Sequence, residues 1–168
     1  MTFKHYIILI FTAVTLTACG AYSFTGAKVN ANTKTFQVNF FQNNASLVEP
    51  GIDLDFTNAL TDLLINQTNL ENVNSNGDLV YEGEIVEYRI SPTTATADDT
   101  AAQNRLTISI NVRFYNKQDE ESEFEKRFSF FYDYDGTSQL VGSLKTTAIE
   151  AIFDQITQDI FNASLAQW

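Results

Sequence analysis

Leu106-Thr107-Ile108-Ser109-Ile110-Asn111-Val112-Arg113-Phe114 alternates apolar and polar residues without a break. Side chains on a strand point to opposite faces in turn, so this pattern predicts a half-buried β-strand with one oily and one polar side. Downstream, Phe124, Phe128, Phe130, Tyr132 and Tyr134 repeat the alternation beyond a short turn at Gln118–Glu121. The two strands are therefore expected to form a hairpin. Upstream, Leu79–Ile90 places Leu79, Tyr81 and Ile85 in one phase and Val86, Tyr88 and Ile90 in the other. A change of phase inside one strand predicts a bulge near Ile85–Val86. Ser91-Pro92 through Gln103 is rich in Thr, Ala and Asp and is expected to be a long loop.

Two helices complete the pattern. Phe56, Ala59, Leu60, Leu63 and Leu64 follow a 3.6-residue period after Pro50-Gly51, with Asp53 or Asp55 as the expected N-cap. Ile149, Ile152, Phe153, Ile156 and Ile160 form a second apolar stripe, on a helix expected from about Ser143, while Glu150, Asp154, Gln155 and Asp159 face water. Thr35–Phe41 is expected to be a strand with Phe36, Val38 and Phe40 on one side. The order is β-α-β-β-β-α. The first β-α-β is expected to be a right-handed crossover. The fold class is α/β (α+β): a two-layer sandwich with a four-stranded mixed sheet and two helices on one face. The other sheet face then shows Thr107, Ser109, Asn111, Arg113 and Tyr115.

The N-terminus carries a different signal. Lys4 and His5 precede the apolar run Tyr6–Leu16, which is too short for a membrane span of roughly 20 residues. Leu16-Thr17-Ala18-Cys19 ends it, and Cys19 is the chain's single cysteine. Charge, run length, small residues and that cysteine together resemble a bacterial lipobox, in which the thiol receives diacylglycerol and cleavage leaves an N-acylated Cys19. Residues 1–18 are then a lipoprotein signal peptide, 19–34 a lipidated tether of small polar residues, and 35–168 one folded domain.

Composition limits the chemistry. The 168 residues carry 10 Lys+Arg against 21 Asp+Glu, and cleavage after Ala18 removes Lys4, taking the net charge from −11 to −12. That acidity opposes a nucleic-acid or anionic-lipid surface, which needs a basic patch. His5 is the one histidine and lies in the signal segment. The mature chain therefore has no His and no free thiol for a Ser–His or Cys–His nucleophile or for a His/Cys zinc site. No catalytic residue, metal ligand or cofactor is expected. Asp133-Tyr134-Asp135-Gly136 is expected to be a strand entering an Asp-Gly turn, and Asp98-Asp99 and Asp119-Glu120-Glu121 to be solvated loop charges. The Asn44, Asn66 and Asn162 sequons are read as chance in a bacterial protein.

Cys19-Gly20-Ala21-Tyr22-Ser23-Phe24-Thr25-Gly26 resembles the opening of the LPS-assembly lipoprotein family, LptE. Leu79-Val80-Tyr81-Glu82-Gly83-Glu84-Ile85, Tyr88-Arg89-Ile90-Ser91-Pro92, Asn104-Arg105-Leu106-Thr107-Ile108 and Ile156–Asn162 resemble it in the same order. The resemblance implies a non-enzymatic lipoprotein on the periplasmic leaflet of a Gram-negative outer membrane. It would sit in a 1:1 complex inside the LptD β-barrel, assist its assembly and support lipopolysaccharide transport to the surface. A barrel lumen is polar, which makes Thr107, Ser109, Asn111 and Arg113 the candidate partner-binding residues. Some family members are thought to touch lipopolysaccharide through basic residues. Here Arg89, Arg105 and Arg113 lie where neighbouring strands would let them cluster, but they are expected to be solvated strand charges, and the overall acidity opposes direct binding of lipid A phosphates. Two other classes remain open: a lipid-anchored periplasmic module for a small apolar ligand, which needs an enclosed pocket, and a carboxylate hydrolase, which needs converging carboxyls of raised pKa.

Overall fold

A computed structural model describes residues 30–47, 49–93 and 103–166. Cys19, residues 1–29 and residues 94–102 lie outside the described residues. In chain order the elements are β1 (Thr35–Val38), β2 (Gln42–Asn43), α1 (Ile52–Gln67), β3 (Glu71–Asn72), β4 (Leu79–Thr93) and β5 (Gln103–Asn116). A 3₁₀ turn at Glu120–Ser122, β6 (Phe124–Asp135) and α2 (Gly142–Leu165) follow. The sheet runs β3-β1-β4-β5-β6, with β2 also paired to β4. β1 and β4 are parallel neighbours across the α1 crossover, and β4, β5 and β6 are antiparallel. The expected α+β layering and hairpin are present. Two strands of two residues each, β2 and β3, bring the sheet to six.

The bulge falls where the phase change put it: pairing with β5 jumps from Ile85↔Ile110 to Glu87↔Ser109. Three boundaries differ from expectation. The ladder continues through Ser91↔Arg105, Pro92↔Asn104 and Thr93↔Gln103, so those residues are strand and not loop. Pro92 is tolerated because β1 and β2 pair β4 only as far as Ile85, leaving the rest of β4 as an edge with no inner N–H to supply. The first strand breaks after Val38, which turns Phe40 out to 53% exposure and buries Phe41 instead. Finally, neither Asp53 nor Asp55 caps α1. Gly51, at φ +85°, makes the entry turn, and both aspartates lie in the first turn, where the helix dipole favours them.

The core lies between the helices and one sheet face. Phe36, Ile52, Phe56, Leu60, Leu64, Tyr81, Ile85, Leu106, Ile108, Ile110, Val112, Ile152 and Ile156 are all buried. Phe41, Phe56 and Phe153 meet edge-on at 5.0 and 5.1 Å, joining the β1–β2 link to both helices. One polar pair sits in this layer. Ser164 Oγ donates to the Ile160 carbonyl at 2.8 Å, so Tyr81 donates its hydroxyl to Ser164 Oγ at 3.0 Å. Burial pushes the Tyr81 hydroxyl well above its ordinary pKa, keeping that proton in place.

Candidate partner-binding face

The face away from the helices is built from cross-strand rows. Register places Glu82, Arg113 and Glu125 side by side on β4, β5 and β6. Next come Glu84–Asn111–Arg127, Glu87–Ser109–Ser129, Arg89–Thr107–Phe131 and Ser91–Arg105–Asp133. Neighbours in such rows approach within about 5.5 Å and interact directly. Every row holds both signs or faces an opposite charge in a neighbouring row, and the side chains have closed on one another in ion pairs.

Glu87 is the hub. It accepts from Arg89 Nε at 2.8 Å, from Ser109 Oγ at 2.7 Å and from an Arg127 guanidinium nitrogen at 2.6 Å. The Arg89 hydrogen bond, then that of Ser109, and the nearby guanidinium charges hold the Glu87 carboxyl below its ordinary range. Ser109 has a single proton and gives it to Glu87, so Ser129 donates to Ser109 Oγ at 2.9 Å. Arg105 makes a two-pronged pair with Asp133 at 2.7 and 2.8 Å, and its guanidinium carbon sits over the Phe131 ring, 3.6 Å from the centroid. That guanidinium lowers the Asp133 pKa. Arg113 meets Glu82 at 3.0 Å and Glu84 at 3.5 Å. Asn111 donates to Glu84, and Asn39 to Glu82, which ties the segment just after β1 into the same network.

Thr107, Asn111 and Arg113 therefore stand half-buried on this face, as the alternation placed them. Ser109 points the same way but is fully covered by Glu87 and its neighbours. Arg89, Arg105 and Arg113 do not gather into a cationic cluster; each is spent on a carboxylate. Glu87 was missed by the sequence reading. Its available signal was a carboxylate at the phase change, the third on β4 after Glu82 and Glu84, two residues before an arginine.

Other candidates resolve similarly. Asp135 accepts from the Thr137 hydroxyl and amide at the end of β6, confirming the strand-to-turn reading of Asp133–Gly136. Both its pKa and that of Asp133 are lowered, opposite to what a general acid needs. A groove of about 530 Å³ opens on the outer side of the helices, over Ile52, Ala59, Ile149 and Phe153, with Asp55, Asp62, Glu150 and Asp154 on its rim. It is not the enclosed space between helices and sheet that an apolar ligand requires.

No curated protein matches the chain. Among solved structures, the hypothetical protein CT253 from Chlamydia trachomatis aligns at TM-score 0.54 and 9% identity, covering 80% of this chain and 99% of that one. It shares the fold. The PelC dodecamer protein from Paraburkholderia phytofirmans aligns at TM-score 0.49 and 9% identity, over 83% and 95% of the two chains. A minor lipoprotein from Acinetobacter baumannii aligns at 0.44 and 15%, over 79% and 96%. The family model for LptE, described as lipopolysaccharide-assembly, matches residues 33–164, nearly the whole described domain. The chain belongs to the LptE lipopolysaccharide-assembly family.

Proposed function

We propose that this protein is a non-enzymatic outer-membrane lipoprotein that plugs the LptD β-barrel and helps it assemble, so that lipopolysaccharide reaches the outer leaflet. Residues 1–18 are removed, Cys19 carries N-acyl and S-diacylglycerol chains, 19–34 is the tether, and the domain begins at 35. More than one acyl chain makes the attachment stable. The observation that carries the reading is the family match over residues 33–164.

The polar face supports the finer part. A plug in a wet lumen needs a rigid surface of hydrogen-bonding groups, and the five cross-strand rows supply one, with Thr107, Asn111 and Arg113 accessible and Ser109 bracing Glu87 beneath. A phosphate would have to take a guanidinium away from a carboxylate already within 3.0 Å. The face therefore favours a protein wall over lipid A. Affinity purification from outer membranes is expected to bring down one large β-barrel in equal amount, and depletion to leave that barrel misassembled. Cys19→Ala is expected to abolish acyl labelling and outer-membrane fractionation. Recovery of the protein without a barrel, or normal palmitate incorporation by the variant, would overturn the proposal.

A further inference from the structure

The two ends of the sheet are unequal. On one side β3 is two residues long, and the open stretch of β4 beyond Ile85 carries the bulge, the charged Glu87 and Arg89, and Pro92, all features that protect an edge from stray pairing. The β6 end is twelve residues long, and its register with β5 runs unbroken from Gln103↔Asp135 to Phe114↔Phe124. It has no bulge, proline or glycine, and its centre, Ser129-Phe130-Phe131-Tyr132, has no charge. In an antiparallel edge strand every second residue turns its N–H and C=O outward. Among the described residues, nothing hydrogen-bonds to that outer side between Phe124 and Tyr134. A groove of about 480 Å³ runs beside it, between Lys126–Ser129 and the end of α2 at Asp159, Asn162, Ala163 and Ala166. The two alanines leave room there for a neighbour's side chains.

We propose that the β6 edge takes an added antiparallel strand from the barrel partner, making that segment the seventh strand of this sheet. The inference rests on the plug reading. The wall strands of a closed barrel already pair with one another and have no edge to offer. The donor is therefore an inward-reaching loop or terminal segment, extended and uncharged at its centre. Charge sets one of its ends. At the start of β6 Glu125 and Lys126 stand side by side and offset each other, whereas at its far end Asp135 has no cation partner among the described residues and Asp133 is already held by Arg105. Continuing the antiparallel order of β4, β5 and β6 places a basic donor residue toward the donor's N-terminal end, opposite Asp135.

The test uses the full-length lipidated protein in detergent, alone and as the purified barrel complex. Amide hydrogen exchange across 124–134 is expected to slow by roughly tenfold or more at alternate residues in the complex. Photo-crosslinkers at the exposed positions Glu125, Ser129 and Asp135 are expected to reach one partner segment outside the barrel wall, in reverse order along it. Unchanged exchange in an intact complex overturns the proposal but leaves the plug standing. So do crosslinks scattered over wall strands, a parallel order, or crosslinks to this chain's own N-terminal segment or to a second copy. Failure to isolate any barrel complex overturns the plug reading itself, and the added strand with it.

Discussion

Gly83→Ala tests the register on which every row of the polar face depends. Removing a glycine from a strand interior ordinarily stabilises a protein by about 0.5–1 kcal/mol. Here the sign reverses. Gly83 faces the core opposite Val112, and a Cβ added to it would lie 2.0 Å from the Asn111 carbonyl oxygen and 2.8 Å from the Phe41 ring. Carbon–oxygen contacts between strands settle near 3.3 Å, so β4 and β5 would have to separate by roughly 1 Å where neighbouring backbone bonds hold them. Phe41 is wedged against Phe56 and cannot give way. Overpacking of this kind costs about 1–3 kcal/mol, and backbone against backbone belongs at the upper end. A net loss of about 2 kcal/mol predicts a fall in Tm of roughly 4–8 °C, followed by circular dichroism of the purified protein. Gly51→Asn is the companion: nothing lies within 4 Å of the added Cβ, and asparagine tolerates a positive φ better than most side chains, so only backbone strain remains and Tm should fall by less than in Gly83→Ala. A Gly83→Ala protein as stable as its parent would mean that the Gly83↔Val112 register, and with it the composition of the rows, is wrong.

Protonation should weaken the domain in acid. The Asp78, Glu87, Asp133 and Asp135 carboxyls all lie below their ordinary values when folded, so they stabilise the fold above the unfolded pKa of about 4 and lose that effect as pH falls through the folded values. The urea midpoint should be level above about pH 5 and drop below pH 4, with a shallower drop in Glu87→Gln; parallel curves for the two proteins would refute the hub role of Glu87. The buried Tyr81–Ser164 pair predicts an asymmetry. Ser164→Ala strands a buried phenol and should cost about 1–3 kcal/mol, whereas adding Tyr81→Phe to it should recover much of the loss. A double variant no more stable than Ser164→Ala in chemical denaturation would contradict that hydrogen bond.

Alternation carried most of the fold. Leu106–Phe114 announced β5 because one side of it is wholly buried and the other is not, and the Ile85–Val86 phase change located the bulge to the residue. β2 and β3 span a single two-residue period each, too short for any alternation to repeat, so they leave no trace in the sequence. Phe40 misled for a related reason: its phase was right for a continuous strand, but β1 ends at Val38 and the chain twists there. The N-cap was misassigned because a left-handed Gly51 can begin a helix without any side-chain acceptor.

The polar face shows a deeper limit. Alternation tells which side of a sheet a residue faces, not what its neighbours then do. Ser109 points outward by parity and is nonetheless covered, because the bulge swings Glu87 over it and two arginines from different strands close on Glu87. Glu87 is 22 residues from Ser109, and Arg127 is 40 from Glu87, both beyond any local pattern. The same closure bears on the proposed partner. An open row of arginines would draw phosphate through charge and two-pronged hydrogen bonds. Arginines already held by carboxylates present mainly a fixed, near-neutral array of hydrogen-bonding edges, and a partner must match that array in shape. A surface that recognises by shape and polar register, and not by net charge, suits a wall that encloses it permanently better than a lipid that must pass it and leave.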